Sequence, residues 1–437
     1  MNQQSTLIGL FKETYGDNIT EAWGFMAKLA KRIPFIRQEL QPGNYYHQPI
    51  DVILEHGISH AAAGTTVGTG TSVFFPATAG QTQDAQIAGA QIVGRALVSY
   101  EAIARSANSK AAFKSATQHV VRRLSQAALK RLEIGILHGT RGIGTISSLA
   151  AETGSSGAYF SVLTLTDNSF SAGIWAGMVG AFIDLYQSDL STVRQAANIN
   201  TGVISGTSGW CRVSAVDPAN KTVTLNYGTA RSGWAANDVL FFGGAVGGSS
   251  ATEAPGLDAI TRVNASSGTF WNIATGTYDL HRANQYSSTG TVSLGKILEA
   301  VGLTAAYGLM DDVIVVIPTK AFEILNTDMA ALRQYDVSYT DARAKTGTRA
   351  LTFFGQTGSI EIMPHPFQKD GMAHIIAPSE FVRVGATDIS FITRQGSEDK
   401  LILESSTSAG TEMRVYSNQA PFCEMLRHTV NMDGITY

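Results

Sequence analysis

Apolar positions keep a helical period longest between Ser109 and Gly139, where Phe113, Ala116, Val120, Leu124, Ala127, Ala128 and Leu132 fall mostly three or four apart. Asn108 or Ser109 supplies an N-cap, and Gly135 and Gly139 an exit. A helix of about 25 residues would be roughly 40 Å long. Its other face carries Lys110, Lys114, Arg122, Arg123, Lys130 and Arg131 against only Glu133. The chain before this helix reads as extended, and the chain after it as a compact body.

Ahead of it, Glu21–Arg37 has an amphipathic face in Trp23, Met26, Leu29 and Ala30, limited by Pro34. Such a short segment must cover its apolar face with the body or a neighbour. Two extended runs, Asp51–Ser59 and Gln86–Tyr100, flank a Gly/Thr/Ser-rich centre at Gly64–Thr82. They predict a long two-stranded excursion whose tip holds Val73, Phe74 and Phe75. An isolated ribbon is barely stable in water, so a partner surface is expected to cover it.

Beyond the long helix, Ile174, Met178, Phe182 and Leu185 predict a second helix over Ser169–Ser188. Residues 203–280 read as a small β insertion: Cys211–Val216 and Thr222–Tyr227 joined by the turn Asp217-Pro218-Ala219-Asn220, then Trp234–Phe242 and Ile260–Val263. Ser293–Gly308 is helical, with Leu294, Ile297, Leu298 and Val301 on one face. The uniformly apolar Asp312–Ile317 predicts a buried central strand, and Pro318 and Thr319 open a short helix through Leu325. Strands then dominate: Ala350–Phe354, Ser359–Met363, Ala373–Ala377, Phe381–Val384, Ile389–Thr393, Lys400–Glu404 and Glu412–Tyr416. The order is that of an α+β fold, without a regular internal repeat.

The chain of 437 residues has 15% charged residues and 44 glycines, a composition suited to surfaces covered by neighbours or to many loops. A net charge of −3 gives no reason to expect sequence-independent nucleic-acid binding. Cys211 and Cys423 lie too far apart for a metal or redox motif and are expected as free thiols. The opening MNQQSTLIGLFKETYGD lacks the pattern of a secretory signal, and no apolar stretch approaches a membrane span. Synthesis and assembly in a cytoplasm, with no membrane partner, are the expectation.

Catalytic and ligand motifs are sparse. There is no phosphate-binding G-x-x-x-x-G-K-[ST] and no G-x-S-x-G elbow, and Gly64, Gly68 and Gly70 precede no helix. Glu55, His56 and His60 have metal-like spacing only on a helix, and the local pattern is extended. His365 and His374 lack a third ligand nearby, and Asp311-Asp312 marks a turn at a strand start. No metal, cofactor or catalytic residue is predicted, and the chain is read as a non-enzyme. For the basic helix face, a solvated surface stands beside contact with another subunit or with nucleic acid.

The order of these parts resembles that of tailed-phage major capsid proteins, whose fold is shared with encapsulins and herpesvirus capsid floors. The stretches SLGKILEAVGLTAAYGLMDDVIVVIPTKAFEIL and FFGQTGSIEIMPHPFQKDGMAHIIAPSEFVRVGATDISF carry local similarity, the second with Gly385 and Asp388 opening a strand. The resemblance implies an N-terminal arm at 1–48, an E-loop at 49–105, a P-domain spine helix at 106–139, an A-domain at 140–378 with the insertion at 203–280, and the P-domain sheet at 379–437. It implies self-assembly as hexamers and pentamers into an icosahedral virion shell enclosing double-stranded DNA, put together in the host cytoplasm. Separate scaffolding, portal and decoration proteins are the implied partners, with DNA held on the inner face without sequence specificity. Val73, Phe74, Phe75, Trp23, Met26, Arg122 and Arg123 are the expected subunit contacts. No lysine occurs between Lys31 and Lys110, so crosslinking through an E-loop lysine is not expected. An arm that starts within the first ~20 residues leaves no room for a fused scaffold segment. An encapsulin-like compartment shell, a tail or decoration protein, and a hydrolase with an unrecognised site are the alternatives.

Overall fold

Six consecutive buried residues, Val313–Pro318, form the central strand around which the larger part of the molecule is layered. The computed structural model describes residues 28–37, 45–61, 63, 66–68, 74–101, 116–155, 157–190, 192–195, 211–247, 250–333, 351–391, 403–404 and 410–437. The chain divides into two units. The smaller comprises Met1–Ala27, Ile92–Lys130 and Ile389–Tyr416, and the larger Lys28–Gln91, Arg131–Asp388 and Ser417–Tyr437.

In the larger unit, a six-stranded sheet runs in the order Asn284–Gly290, Val430–Ile435, Met372–Ile376, Val313–Pro318, Ser359–His365, Leu351–Phe354. Val313–Pro318 is parallel to Ser359–His365 and antiparallel to Met372–Ile376. A β-branched run suits a strand covered on both faces. Helix Leu294–Ala305, capped by the Ser293 hydroxyl, packs Ile297, Ala300 and Val301 into this core. Helix Thr319–Arg333 adds Ala321 and Leu325. Leu298 departs from the predicted buried face and is 41% exposed.

The second sheet has eight strands. Its main path is Cys211–Asp217, Thr222–Tyr227, Ala158–Leu165, Gly144–Leu149, Val239–Phe242, Ile183–Tyr186 and Val193–Gln195. The predicted turn at Asp217 is present: its carboxylate accepts the Ala219 and Asn220 N–H groups. The stretch read as an insertion at 203–280 thus shares its sheet with strands from 144–195. The helix predicted over Ser169–Ser188 does not form. A four-residue helix, Ala172–Trp175, gives way to the strand Ile183–Tyr186. Gly177 and Gly180 adopt φ of 71° and 88°, which a continuing helix excludes. The predicted strand Ile260–Val263 is instead the end of a short helix, Leu257–Ile260.

Tyr46–Ile53 and Gln81–Ile87 pair antiparallel as the predicted ribbon. The run Gln86–Tyr100 splits after Ile87: its remainder, Ala90–Ser99, joins Gly410–Cys423 in another sheet. Phe381–Val384 and Ile389–Thr393 fuse into one strand, Phe381–Phe391. Asn284–Gly290 and Val430–Ile435 carry too many polar residues to have been read as strands.

Helix Ala116–His138 confirms the long helical period over its described length, and the predicted start at Ser109 lies outside the described residues. In the smaller unit, Leu124 lies over Gly94, where a Cβ would sit 3.1 Å from its Cδ1. There Glu412, nearly buried, pairs with Arg95 at 2.7 Å and Arg414 at 2.6 Å.

In the larger unit, the helix end meets residues 253–258 at backbone contact. Gly256 N–H donates to Gly139 O at 3.0 Å, and a Cβ on Gly256 would lie 2.5 Å from Gly139 N and 2.6 Å from Gly135 O. Nothing lies within 4 Å of a Cβ added at Gly135. Gly256→Ala is therefore expected to destabilise the fold by about 1–3 kcal/mol through overpacking. Gly135→Ala is expected to stabilise by about 0.5–1 kcal/mol through helix propensity. Denaturation of the two variants checks this, and equal melting temperatures would refute the crossing as drawn.

Candidate functional site

The ribbon is anchored at its base and bare beyond it. Its strands alternate half-buried and exposed positions, with Val52, Ala85 and Ile87 buried. Pro49 is tolerated because a two-stranded ribbon has open outer edges. Across the strands, Thr82 Oγ1 donates to Asp51 at 2.5 Å, and His47 meets Asp84 at 2.7 Å, which holds the Asp84 carboxyl below its usual range. Gln86 N–H donates to Trp271 O at 3.0 Å, and Tyr278 OH bridges Gln81 and Gln83. Below lie Phe270, Trp271 and Phe422, with Trp271 and Phe422 centroids 4.9 Å apart and Tyr46 edge-on to Phe422. His281 donates from Nε2 to Phe270 O, and burial pulls its pKa down to about 4.

Past this base two hydrogen bonds cross the loop among its described residues. His56 N–H donates to Thr78 O at 3.1 Å, and Phe75 N–H to Ser59 Oγ at 2.8 Å. Leu54, Ile58, Phe74 and Phe75 are 70, 69, 67 and 61% exposed. Four such side chains each forgo about 1.5–3 kcal/mol of burial while open to water. Of the predicted contact residues, Phe74 and Phe75 are thus on the surface, while Val73, Trp23 and Met26 lie outside the described residues. His56, His60 and Glu55 are exposed on extended chain.

The basic helix face is broken. Arg122 and Arg123 are exposed, but Lys130 is buried. Arg131 lies 3.3 Å over the Phe242 ring, and burial lowers its pKa to about 10. Glu133, expected among the solvated charges, is fully buried. Its carboxylate accepts Leu29 N–H at 2.6 Å and Ala30 N–H at 3.1 Å. His365 accepts Phe367 N–H at Nδ1, so its Nε2 carries the proton and donates to Glu133 at 2.9 Å. Segment 28–37 is held further along by Lys28 to Pro364 O, Arg32 to Glu361, and Arg383 to Ile33 O and Pro34 O. Phe35–Arg37 then pairs parallel with Arg383–Gly385. The sequence signal for this clasp was slight: a lone acid among bases on the helix, and a histidine before Pro366.

Among the described residues, no group of three His, Cys, Asp or Glu side chains is arranged to hold a metal. Cys211 and Cys423 are free and buried, which pushes both thiols up. Asp312 accepts Ser359 N–H at 2.8 Å and closes a turn, as its position suggested. A second apolar surface, not predicted, holds Leu298, Leu303, Tyr307 and Met310, the last 88% exposed. No helix among the described residues is long and apolar enough to cross a membrane.

No protein-family model matches the chain, and no curated protein matches it. Solved structures do. A chain of the cyanophage A-1(L) capsid asymmetric unit is 11% identical with a TM-score of 0.54, the match covering all of both chains. A chain from the capsid of an empty GTA particle is 7% identical with a TM-score of 0.50, again over all of both. At these identities the likeness is one of fold, and it runs end to end: the chain has the tailed-phage major capsid fold.

Proposed function

We propose that this chain is a major capsid protein, which self-assembles as hexamers and pentamers into an icosahedral shell around double-stranded phage DNA. The observation that carries this reading is the ribbon, rigidly rooted at Trp271 and Phe422 yet ending in the open side chains Leu54, Ile58, Phe74 and Phe75. A chain that folds alone has no use for that arrangement, whereas a neighbouring copy would cover it. The end-to-end fold likeness to a phage capsid chain supports the same reading.

In this reading the ribbon is the E-loop, the helix through Ala116–His138 the spine, and segment 28–37 the root of the N-terminal arm. Val73, Trp23 and Met26 join Phe74 and Phe75 as subunit contacts. Arg122 and Arg123 face a neighbour or the packaged DNA, which is bound without sequence specificity. Portal and decoration proteins are its further partners in this reading, and assembly takes place in the host cytoplasm. Each interface is small, and symmetry multiplies it.

Electron microscopy of the purified chain, with its sedimentation profile, tests the reading: shells or capsomer rings are expected, and tubes would point to a tail protein. Deleting Gly64–Thr82 is expected to leave a folded chain that no longer assembles, and normal shells from that deletion would overturn the assignment of the ribbon. Glu133→Gln places an amide donor against N–H groups in a site without water, costing about 1–3 kcal/mol. Limited trypsin digestion should then cut at Lys31 or Arg32 at least several-fold faster than in the wild type, and an unchanged rate would remove Glu133 as the anchor.

A further inference from the structure

Below the helix end lies a second buried polar cluster that the shell reading leaves unused. His138, at the last helical position, and His374, on the strand Met372–Ile376, are 2% and 0% exposed, with ring centroids 6.5 Å apart. Their hydrogen bonds fix both tautomers. Phe367 O has only lone pairs to offer, so His138 Nε2, 2.9 Å away, carries its proton. The Thr261 hydroxyl spends its hydrogen on Leu257 O at 2.7 Å, so its oxygen must accept from His374 Nδ1 at 3.1 Å. His138 Nδ1 and His374 Nε2 remain as buried lone pairs with no hydrogen-bond partner among the described residues.

The charges around the two rings come from every element that meets there. Asp258, on the short helix, is 3.8 Å from His138 Nδ1, too far for a hydrogen bond. It is already engaged by Arg262 at 2.6 Å and by the buried Lys369 at 3.5 Å. Arg262 also reaches Asp433 at 3.5 Å. Lys369 lies within the field of Arg141 and of Glu253, whose burial raises its carboxyl. Cations thus already outnumber the one carboxylate close to both rings. A proton on His374 Nε2 would add positive charge with no acceptor among the described residues, and one on His138 Nδ1 would meet only Asp258, already shared with Arg262 and Lys369.

We infer that His138 and His374 form an acid-sensitive lock, which fastens the end of the long helix to the turn at Phe367 and the strand Met372–Ile376 to Thr261 while both rings are neutral, and lets go when they take up protons. The titration agrees in sign. Burial first, and Lys369 second, lower His138 to about 4, and burial lowers His374 to about 3. Both lie below an ordinary histidine, so the open state binds more protons. The lock is complete above about pH 6.5 and weakens as pH falls toward 4. Each histidine raises the opening equilibrium on the order of 100-fold over that interval.

Hydrogen exchange of the full chain, corrected for the intrinsic pH dependence of amide chemistry, tests this. The double variant His138→Gln, His374→Asn keeps an N–H donor at each bonded position and cannot titrate. Wild type is expected to lose amide protection at 136–140 and 372–376 between pH 7 and 4, while the variant keeps it. Equal loss in both proteins would overturn the proposal. Exchange at the imidazole C2–H of the wild type needs no variant: midpoints below 5 for both rings are expected, and a midpoint near 6.5 for either would overturn it.

Discussion

A carboxylate shut away from water must be met by donors, and Glu133 meets this constraint by drawing three separate parts of the chain to one point. It sits on the long helix, receives the backbone N–H groups of Leu29 and Ala30 and one imidazole from the strand Ser359–His365. Two orphan N–H groups at the start of the four-residue helix Leu29–Arg32 would otherwise go unpaired. The path of segment 28–37 along the larger unit follows from this one side chain. The parallel pairing of Phe35–Arg37 with Arg383–Gly385 continues from it.

The same economy recurs nearly two helical turns on, at the crossing of Gly139 and Gly256. Around it sit Glu253, which accepts Thr140 N–H, and Asp258, which gathers Arg262 and Lys369. Buried ion pairs of this kind add little net stability, since desolvation offsets much of the attraction. Their effect is to exclude other dockings: a shifted helix end would strand charges in the core.

Elements with a strong period were legible in the sequence. The long helix, the buried strand at Val313–Pro318, the capped helix at Leu294–Ala305 and the ribbon all follow from residue spacing. What failed was local pattern without context. Ile174, Met178, Phe182 and Leu185 are spaced for a helix, but Gly177 and Gly180 turn the chain and leave Ile183–Tyr186 as a strand. Asn284–Gly290 and Val430–Ile435 look polar because Asn284 and Asn431 spend their amides inside the fold. Glu133 could not be read from its helix position, since its partners lie a hundred residues before and more than two hundred after it. Phe74 and Phe75 were visible because an apolar pair in a Gly/Thr-rich stretch has no local core to join.

The described exposed side chains Leu54, Ile58, Phe74 and Phe75 beyond the ribbon's strands are apolar, and a partner covering them would be held by the release of water rather than by charge. Such contacts grow stronger with warming near room temperature and weaken in the cold, because the driving force is entropic there. They also respond little to ionic strength, unlike contacts between exposed charges. If copies of this chain associate through Leu54, Ile58, Phe74 and Phe75, temperature and subunit concentration would govern that contact, with salt a minor variable.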